Sequence, residues 1–219
     1  GLIDPGFDYS PGDWIGEAEY KNSGLYLDYT DRCKGDDLVS GVYGRTQFSF
    51  SEVHSEKEEG SGKNRRTVTI FKGLFFIADF NKRFTSRTYV WSEEKPQLSI
   101  LSKLFSSFAD GLEKVKLESP EFERRFIVYS NDQVEARYIL TPSMMERMVL
   151  LQDQMNATVV FSFVDTKVYI AIPFEQDMFE PSVFSPASYE LITFYYSVIR
   201  EVLNMIDTLD LNLRLWNKE

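Results

Sequence analysis

Leu74 to Ala78 are five apolar residues in unbroken succession, inside the run Ile70-Phe71-Lys72-Gly73-Leu74-Phe75-Phe76-Ile77-Ala78-Asp79-Phe80. The residues flanking them alternate, so the run reads as a strand, and a strand with no polar face is stable only between two layers. The chain must therefore build a domain around this strand. At 219 residues it is long enough to do so, as one large domain or two intimate halves. The run itself carries no chemistry, and no metal-ligand spacing, nucleophile with a base or phosphate-binding loop stands out elsewhere.

The formal charge is 24 − 34 = −10, which argues against a nucleic-acid surface, since phosphates need a basic stripe. One local exception is Lys63, Arg65 and Arg66 followed by Lys82, Arg83 and Arg87. Solvated ends of neighbouring strands account for these six residues; gathered on one face, they would suit anionic lipid headgroups. Cys33 is the single cysteine, so no internal disulfide forms, and its polar neighbours Asp31, Arg32, Lys34 and Gly35 suggest a loop. His54, the single histidine, sits in an alternating strand and reads as a strand-end side chain. No cofactor is indicated.

No apolar run approaches the roughly 18 residues that span a bilayer. The chain opens Gly1-Leu2-Ile3-Asp4-Pro5 without a methionine or a signal peptide, which reads as a piece cut from a longer protein.

Residues 1–40 are rich in Gly, Pro, Asp and Tyr and read as an irregular arm, anchored by Trp14, Tyr20, Leu25 and Tyr26. Residues 41–219 form the α+β domain proper. A strand from Val42 to His54, a polar turn over Glu58 to Asn64 and a strand from Arg66 to Phe80 make a long hairpin. Its acidic arm (Glu52, Glu56, Glu58) faces the basic Lys63, Arg65 and Arg66. Thr85–Trp91, Val115–Leu117, Arg125–Ser130 and Val134–Leu140 read as further strands. Ala157–Phe163 and Lys167–Ile172 form a second hairpin over Asp165-Thr166.

Helices are expected over 98–110, 142–155 and 186–206. Thr141-Pro142 and Ser185-Pro186 each supply a capping hydroxyl followed by a proline whose missing N–H costs nothing in a first turn. The second helix carries a methionine-rich apolar face. The third is expected to bury Tyr189, Ile192, Tyr196, Ile199 and Leu203, leaving Glu190, Arg200 and Glu201 in solvent. Leu209, Leu211, Leu213 and Leu215 alternate with polar residues and read as a terminal strand. The fold class is α+β, mostly antiparallel sheet with about three helices packed on it. Strands followed by a helix occur twice, which suggests two similar halves, 41–118 and 119–219.

Two polar groups qualify as candidate sites. Asn131, Asp132, Gln133, Glu135 and Arg137 are the densest, and on a strand Gln133, Glu135 and Arg137 share one face. Asp132 and Glu135 would suit an acid/base pair; as structure, Asp132 is a turn residue and Glu135 pairs with Arg137. Asp79 and Asn81 flank Phe80 at the end of the most apolar strand. The structural reading is favoured for both groups.

The phrases Asp36-Asp37-Leu38-Val39-Ser40-Gly41, Phe50-Ser51-Glu52-Val53-His54, Ile70 to Lys82 and Tyr129-Ser130-Asn131-Asp132-Gln133-Val134-Glu135-Ala136-Arg137-Tyr138-Ile139-Leu140-Thr141-Pro142 together resemble a bacterial membrane-anchored family of unknown function, DUF3137, sometimes labelled "galanin". Phe161 to Asp165 and Leu209 to Asn212 also look like it, so the likeness runs through most of the chain. The family brings no reaction and no catalytic residues. The resemblance implies two transmembrane helices upstream, which would hang this domain on the cytoplasmic face of the bacterial inner membrane.

The expectation is therefore a non-catalytic interaction domain with a protein partner, membrane-held through an N-terminal anchor and without nucleic acid. The alternatives are an enzyme using Asp79, Asp132 and Glu135, which would require those carboxylates to converge in one pocket, and a binder of anionic lipid headgroups through the basic residues.

Overall fold

The computed structural model describes residues 7–26, 30–79, 83–92, 111–174 and 189–216. Within them, one nine-stranded sheet runs in the order β1-β2-β3-β4-β9-β8-β5-β7-β6, every neighbouring pair antiparallel. The strands are β1 (Asp8–Ser10), β2 (Arg32–Tyr43), β3 (Thr46–Glu59), β4 (Arg66–Asp79), β5 (Thr88–Ser92), β6 (Glu113–Val115), β7 (Phe126–Ser130), β8 (Val160–Val164) and β9 (Lys167–Pro173). Five α-helices accompany them among the described residues: α1 (Glu17–Asn22), α2 (Pro120–Glu123), α3 (Gln133–Ile139), α4 (Pro142–Met155) and α5 (Tyr189–Trp216). The fold is α+β, as expected. The sheet interleaves the two suggested halves, since β5 lies between β8 and β7.

β4 is central, and Leu74 to Ala78 are at most 6% exposed. Its alternation explains why both faces are apolar. Leu74, Phe76 and Ala78 join Phe48, Phe50, Ile170 and Phe161 in a core covered by α2–α5. Phe71, Phe75 and Ile77 point the other way, to a second core where Tyr20, Leu25 and Tyr26 lie against the sheet. The segment before β2 thus supplies the second layer that the run demands. Tyr20 stacks on Tyr26 at 5.6 Å and its hydroxyl shares a hydrogen bond with Ser55 at 2.7 Å.

This aromatic layer makes stability sensitive to alkali. Burial pushes the Tyr89 phenol up to about 12 and raises those of Tyr20, Tyr26 and Tyr169 as well. The folded state therefore holds protons that the unfolded chain releases near pH 10. Stability is fully present below about pH 10 and falls as pH rises towards the folded values, by about 1.4 kcal/mol per buried phenol at pH 11. Absorbance at 295 nm, followed with circular dichroism, should show these tyrosines ionising in one step with unfolding. A smooth titration at pH 10 with the fold intact would contradict this.

Four expectations are corrected. Val42 belongs to β2, because Gly44 (φ 63°) and Arg45 close a two-residue turn between β2 and β3. Cys33 accordingly lies in a strand rather than a loop. Residues 133–139 form α3, not a strand: Asp132 Oδ1 accepts from the amides of Val134 and Glu135 at 2.8 and 2.9 Å, an N-cap that commits the segment to a helix. The alternating leucines from 209 to 215 continue α5 as far as Trp216, because no glycine or proline follows Tyr189 to stop it.

The buried face of α5 also differs from expectation. Val198, Glu201, Val202, Met205, Ile206 and Leu209 are buried; Ile199 and Leu203 flank them half-buried, and Tyr196 is 43% exposed. Arg200 is exposed as expected, whereas Glu201 is not. The side chains of Tyr189, Glu190 and Ile192, and the helix expected over 98–110, lie outside the described residues. Helix α4 matches its expected bounds, with the Thr141 hydroxyl accepting from the Met144 amide and Met144, Met145, Met148 and Met155 buried.

Candidate functional site

Three of the sequence-level candidates meet around α3. Glu135 is 2% exposed and its carboxylate receives two backbone amides, Thr85 on Oε1 at 2.8 Å and Ser86 on Oε2 at 2.6 Å. The flanking amides are held too: Phe84 donates to the Asp165 carbonyl at 2.6 Å and Arg87 to Asn131 Oδ1 at 2.7 Å. Four consecutive N–H groups, 84 to 87, are thus bonded to three other segments. A buried carboxylate is costly unless its lone pairs are filled, and here the chain's own backbone fills them.

Asp132 caps α3, as described. Arg137 does not pair with Glu135, because on a helix two residues apart point to different sides. Its guanidinium instead donates to the carbonyls of Gln133 at 2.6 Å and Lys116 at 3.3 Å, while the Gln133 amide reaches the Lys114 carbonyl at 3.1 Å. Lys114 lies in the edge strand β6, so these side chains occupy carbonyls beside an edge that is only three residues long. Short, blunted edges resist pairing with other chains. The cluster is a joint binding α3, β6 and the 83–87 strap.

Asp79 lies elsewhere. Alternation along β4 puts it on the same side as Phe75 and Ile77, the face opposite α2–α5. There it lines an open groove of about 480 Å³ with Ile15, Glu19, Val42, Gln47 and Lys167. Lys167 is paired with Glu19 at 2.6 Å, and the Tyr169 hydroxyl donates to the same carboxylate at 3.3 Å. Asn81 lies outside the described residues. The carboxylates named as acid/base candidates are therefore divided between two faces of the sheet. Among the described residues, no three His, Cys, Asp or Glu side chains form a group that could hold a metal ion.

The basic residues divide as well. Arg65 and Arg66 sit at the β3–β4 tip, paired with Glu58 and with Glu59, the latter at 2.8 Å. Arg32 joins the same Glu58 carboxylate at 2.7 Å. Arg83 and Arg87 lie beyond the other end of β4, roughly 40 Å away along a strand of this length. Arg83 is 4.0 Å from Asp165 with both side chains well exposed, a contact worth little. Lys82 and the Lys63 side chain lie outside the described residues.

Sequence reasoning missed α3 and with it the exposed Val134 (62%) and Tyr138 (52%), one turn apart on its outer side. The signal was present: Asp132 followed three residues later by Glu135 is a helix-start pattern.

A family match now gives this geometry its context. The model of the family described as protein of unknown function (DUF3137) matches residues 69–211, well over half of the 219. The chain belongs to the DUF3137 family. The matched region spans β4 to α5 and so includes the Glu135 joint. No curated protein matches the chain. Among solved structures, the mycobacterial trehalose monomycolate transport factor A, TtfA, is similar at a TM-score of 0.43 with 12% identity, over 93% of this chain and 88% of that one. No helix among the described residues is long and apolar enough to cross a membrane.

Cys33 does not behave as a reactive thiol. Burial, followed by the nearby Glu17, pushes it up to about 11. At pH 8 its thiolate fraction is roughly a hundredfold below that of an ordinary cysteine. Iodoacetamide labelling of the folded protein should be slowed to that extent and restored in urea; labelling at the denatured rate without urea would contradict the partial burial of Cys33.

Proposed function

We propose that this DUF3137 domain is a non-catalytic interaction module that binds another protein, held at the cytoplasmic face of the bacterial inner membrane by an N-terminal anchor. The observation that carries the reading is the engagement of the candidate polar groups. Both oxygens of Glu135 are bonded to the strap, Asp132 holds α3, and Arg137 holds carbonyls beside β6. Asp79 stands on the opposite face of the sheet. Convergence in one pocket, the condition that favours an enzyme, is not met by these residues.

Support for protein binding comes from α3. Tyr138 is exposed beside Arg137, and tyrosine and arginine are side chains enriched at binding hot spots; Val134, also exposed, extends the apolar surface next to them. The lipid-headgroup reading loses support from the roughly 40 Å separating the two basic groups.

Cross-linking capture of the full-length protein from its own membranes tests the proposal. The expected result is a reproducible partner whose recovery falls at least tenfold in Val134→Asp/Tyr138→Asp, a change at exposed positions that spares the fold. No partner, or a partner indifferent to both substitutions, would overturn it.

A further inference from the structure

β4 outruns β9. Its ladder with β3 reaches from Asp79 to Arg66, whereas its ladder with β9 stops at Gly73, followed by one bond from the Phe174 amide to the Lys72 carbonyl. Among the described residues, no strand occupies the second edge of β4 from Arg66 to Phe71. Open edges are ordinarily kept short, or blunted by lysine, proline or a covering segment. The outer strands of the sheet obey this: β1 and β6 are three residues each, and Gln133 and Arg137 occupy carbonyls beside β6. Thr67-Val68-Thr69-Ile70-Phe71 does not. It holds no charge, proline or glycine, and all five residues are strong strand formers.

The side chains along this edge are sorted by face. Thr69 lies on the side of His54, 3.4 Å from its Nε2, and alternation puts Thr67 there too. Val68 and Arg66 fall on the opposite side. Ile70 is an extra residue between the pairs Ser55–Phe71 and Glu56–Thr69, and it packs with Phe71 against the second core. Thr67 and Thr69 are exposed, Val68 and Ile70 half-buried.

We propose that this edge pairs with the same edge of a second copy of the chain, antiparallel about a two-fold axis at Val68. In that register Val68 faces its own equivalent, Thr67 faces Thr69 and Arg66 faces Ile70 across the axis. Threonine pairs and β-branched pairs both favour adjacent strands, and no like charges meet. The Val68 and Ile70 side chains of the two copies line up as one apolar strip that continues the second core. Arg66 stays at the rim, where its pair with Glu59 remains in solvent. Neighbouring registers fit less well. An axis at Thr69 sets Arg66 against Lys72 and drives the second copy's turn into Pro173 and Phe174; an axis at Thr67 leaves Ile70 unpaired. β3 fills the other edge of β4, so the pairing closes at two copies and builds no filament. This surface is separate from α3, and the dimer stands whether or not a protein docks there.

About five residues a side is far fewer than the roughly 20–30 of a standard interface, so the association is weak and concentration-dependent. Sedimentation velocity of the 219-residue chain, from about 10 µM to about 1 mM, reads it directly. The average mass should rise from that of one chain towards that of two, and Val68→Lys, with an unchanged circular-dichroism spectrum, should weaken the association at least tenfold. Independently, Val68→Cys in a Cys33→Ser chain should form a disulfide between copies on mild oxidation, because residues facing across antiparallel strands have Cα atoms about 4.5–5.5 Å apart. Ser61→Cys in the same background, at the hairpin tip and far from the axis, should not. A chain that stays monomeric throughout, a Val68→Lys variant that associates like the parent, or cross-linking no faster at position 68 than at position 61 would each overturn the proposal.

Discussion

Replacing Gly73 by alanine is expected to destabilise the protein by roughly 3–5 kcal/mol. Gly73 has φ +155°, and a Cβ placed on it would lie 2.1 Å from the Ile172 carbonyl oxygen and 2.8 Å from the Phe174 amide nitrogen. Both obstacles are backbone atoms, so no rotamer change relieves them. Gly73 pairs with Pro173 where β9 ends its ladder with β4, and Phe174 donates to the Lys72 carbonyl at 2.9 Å beside it. Urea denaturation of Gly73→Ala should show a markedly lower midpoint with an unchanged slope. A midpoint within experimental scatter of the parent would mean that β4 and β9 are not this close.

Glu135→Ala is the second large effect, about 3 kcal/mol, because it strands two amides at once. Hydrogen bonds to a charged acceptor contribute about 1.5–3 kcal/mol each, and buried donors left without an acceptor pay their desolvation in full. Glu135→Gln keeps the shape but turns one acceptor into a donor facing an N–H, so it should recover little. Arg137→Ala, whose bonds lie at an exposed edge, should cost no more than about 1 kcal/mol. That ordering separates a structural joint from a Glu135–Arg137 ion pair, in which both substitutions would cost alike.

The parts of the fold legible in the sequence are those where one physical requirement dominated. Leu74 to Ala78 had no polar face and could only be buried twice; Thr141-Pro142 could only open a helix. The Ala157–Ile172 hairpin was marked by alternation around Asp165-Thr166. Misreadings arose where two patterns competed. Val134 to Leu140 alternates well enough for a strand, yet the Asp132 carboxylate satisfies two orphan amides and nucleates a helix. In α5, the stripes through Ile199 and through Val202 are both apolar, and only packing decides between them. Glu201 was assigned to solvent because its partner, Arg147, lies 54 residues away in sequence.

Asp132, Glu135 and Arg137 meet around α3, but their partners were not foreseeable. Glu135 bonds to backbone amides 49 and 50 residues earlier, and a backbone N–H leaves no trace in residue identity. The same holds for Arg137 and the Lys116 carbonyl. Asp79 was grouped with the α3 residues by chemistry, whereas the parity of β4 sends it to the other face.

In this DUF3137 chain the polar cluster around α3 serves the architecture. Amide hydrogen exchange of residues 84–87, resolved by NMR in the parent and in Glu135→Gln, tests it most directly. The prediction is that all four amides are protected in the parent as strongly as those of β5, although the strap belongs to no strand. In Glu135→Gln, Thr85 and Ser86 should exchange at least a hundredfold faster, equivalent to about 2.7 kcal/mol, while Leu74 to Ala78 stay protected. Parent amides that exchange at open-loop rates, or a Gln variant that leaves them unchanged, would contradict the claim and return Glu135 to the pool of functional carboxylates.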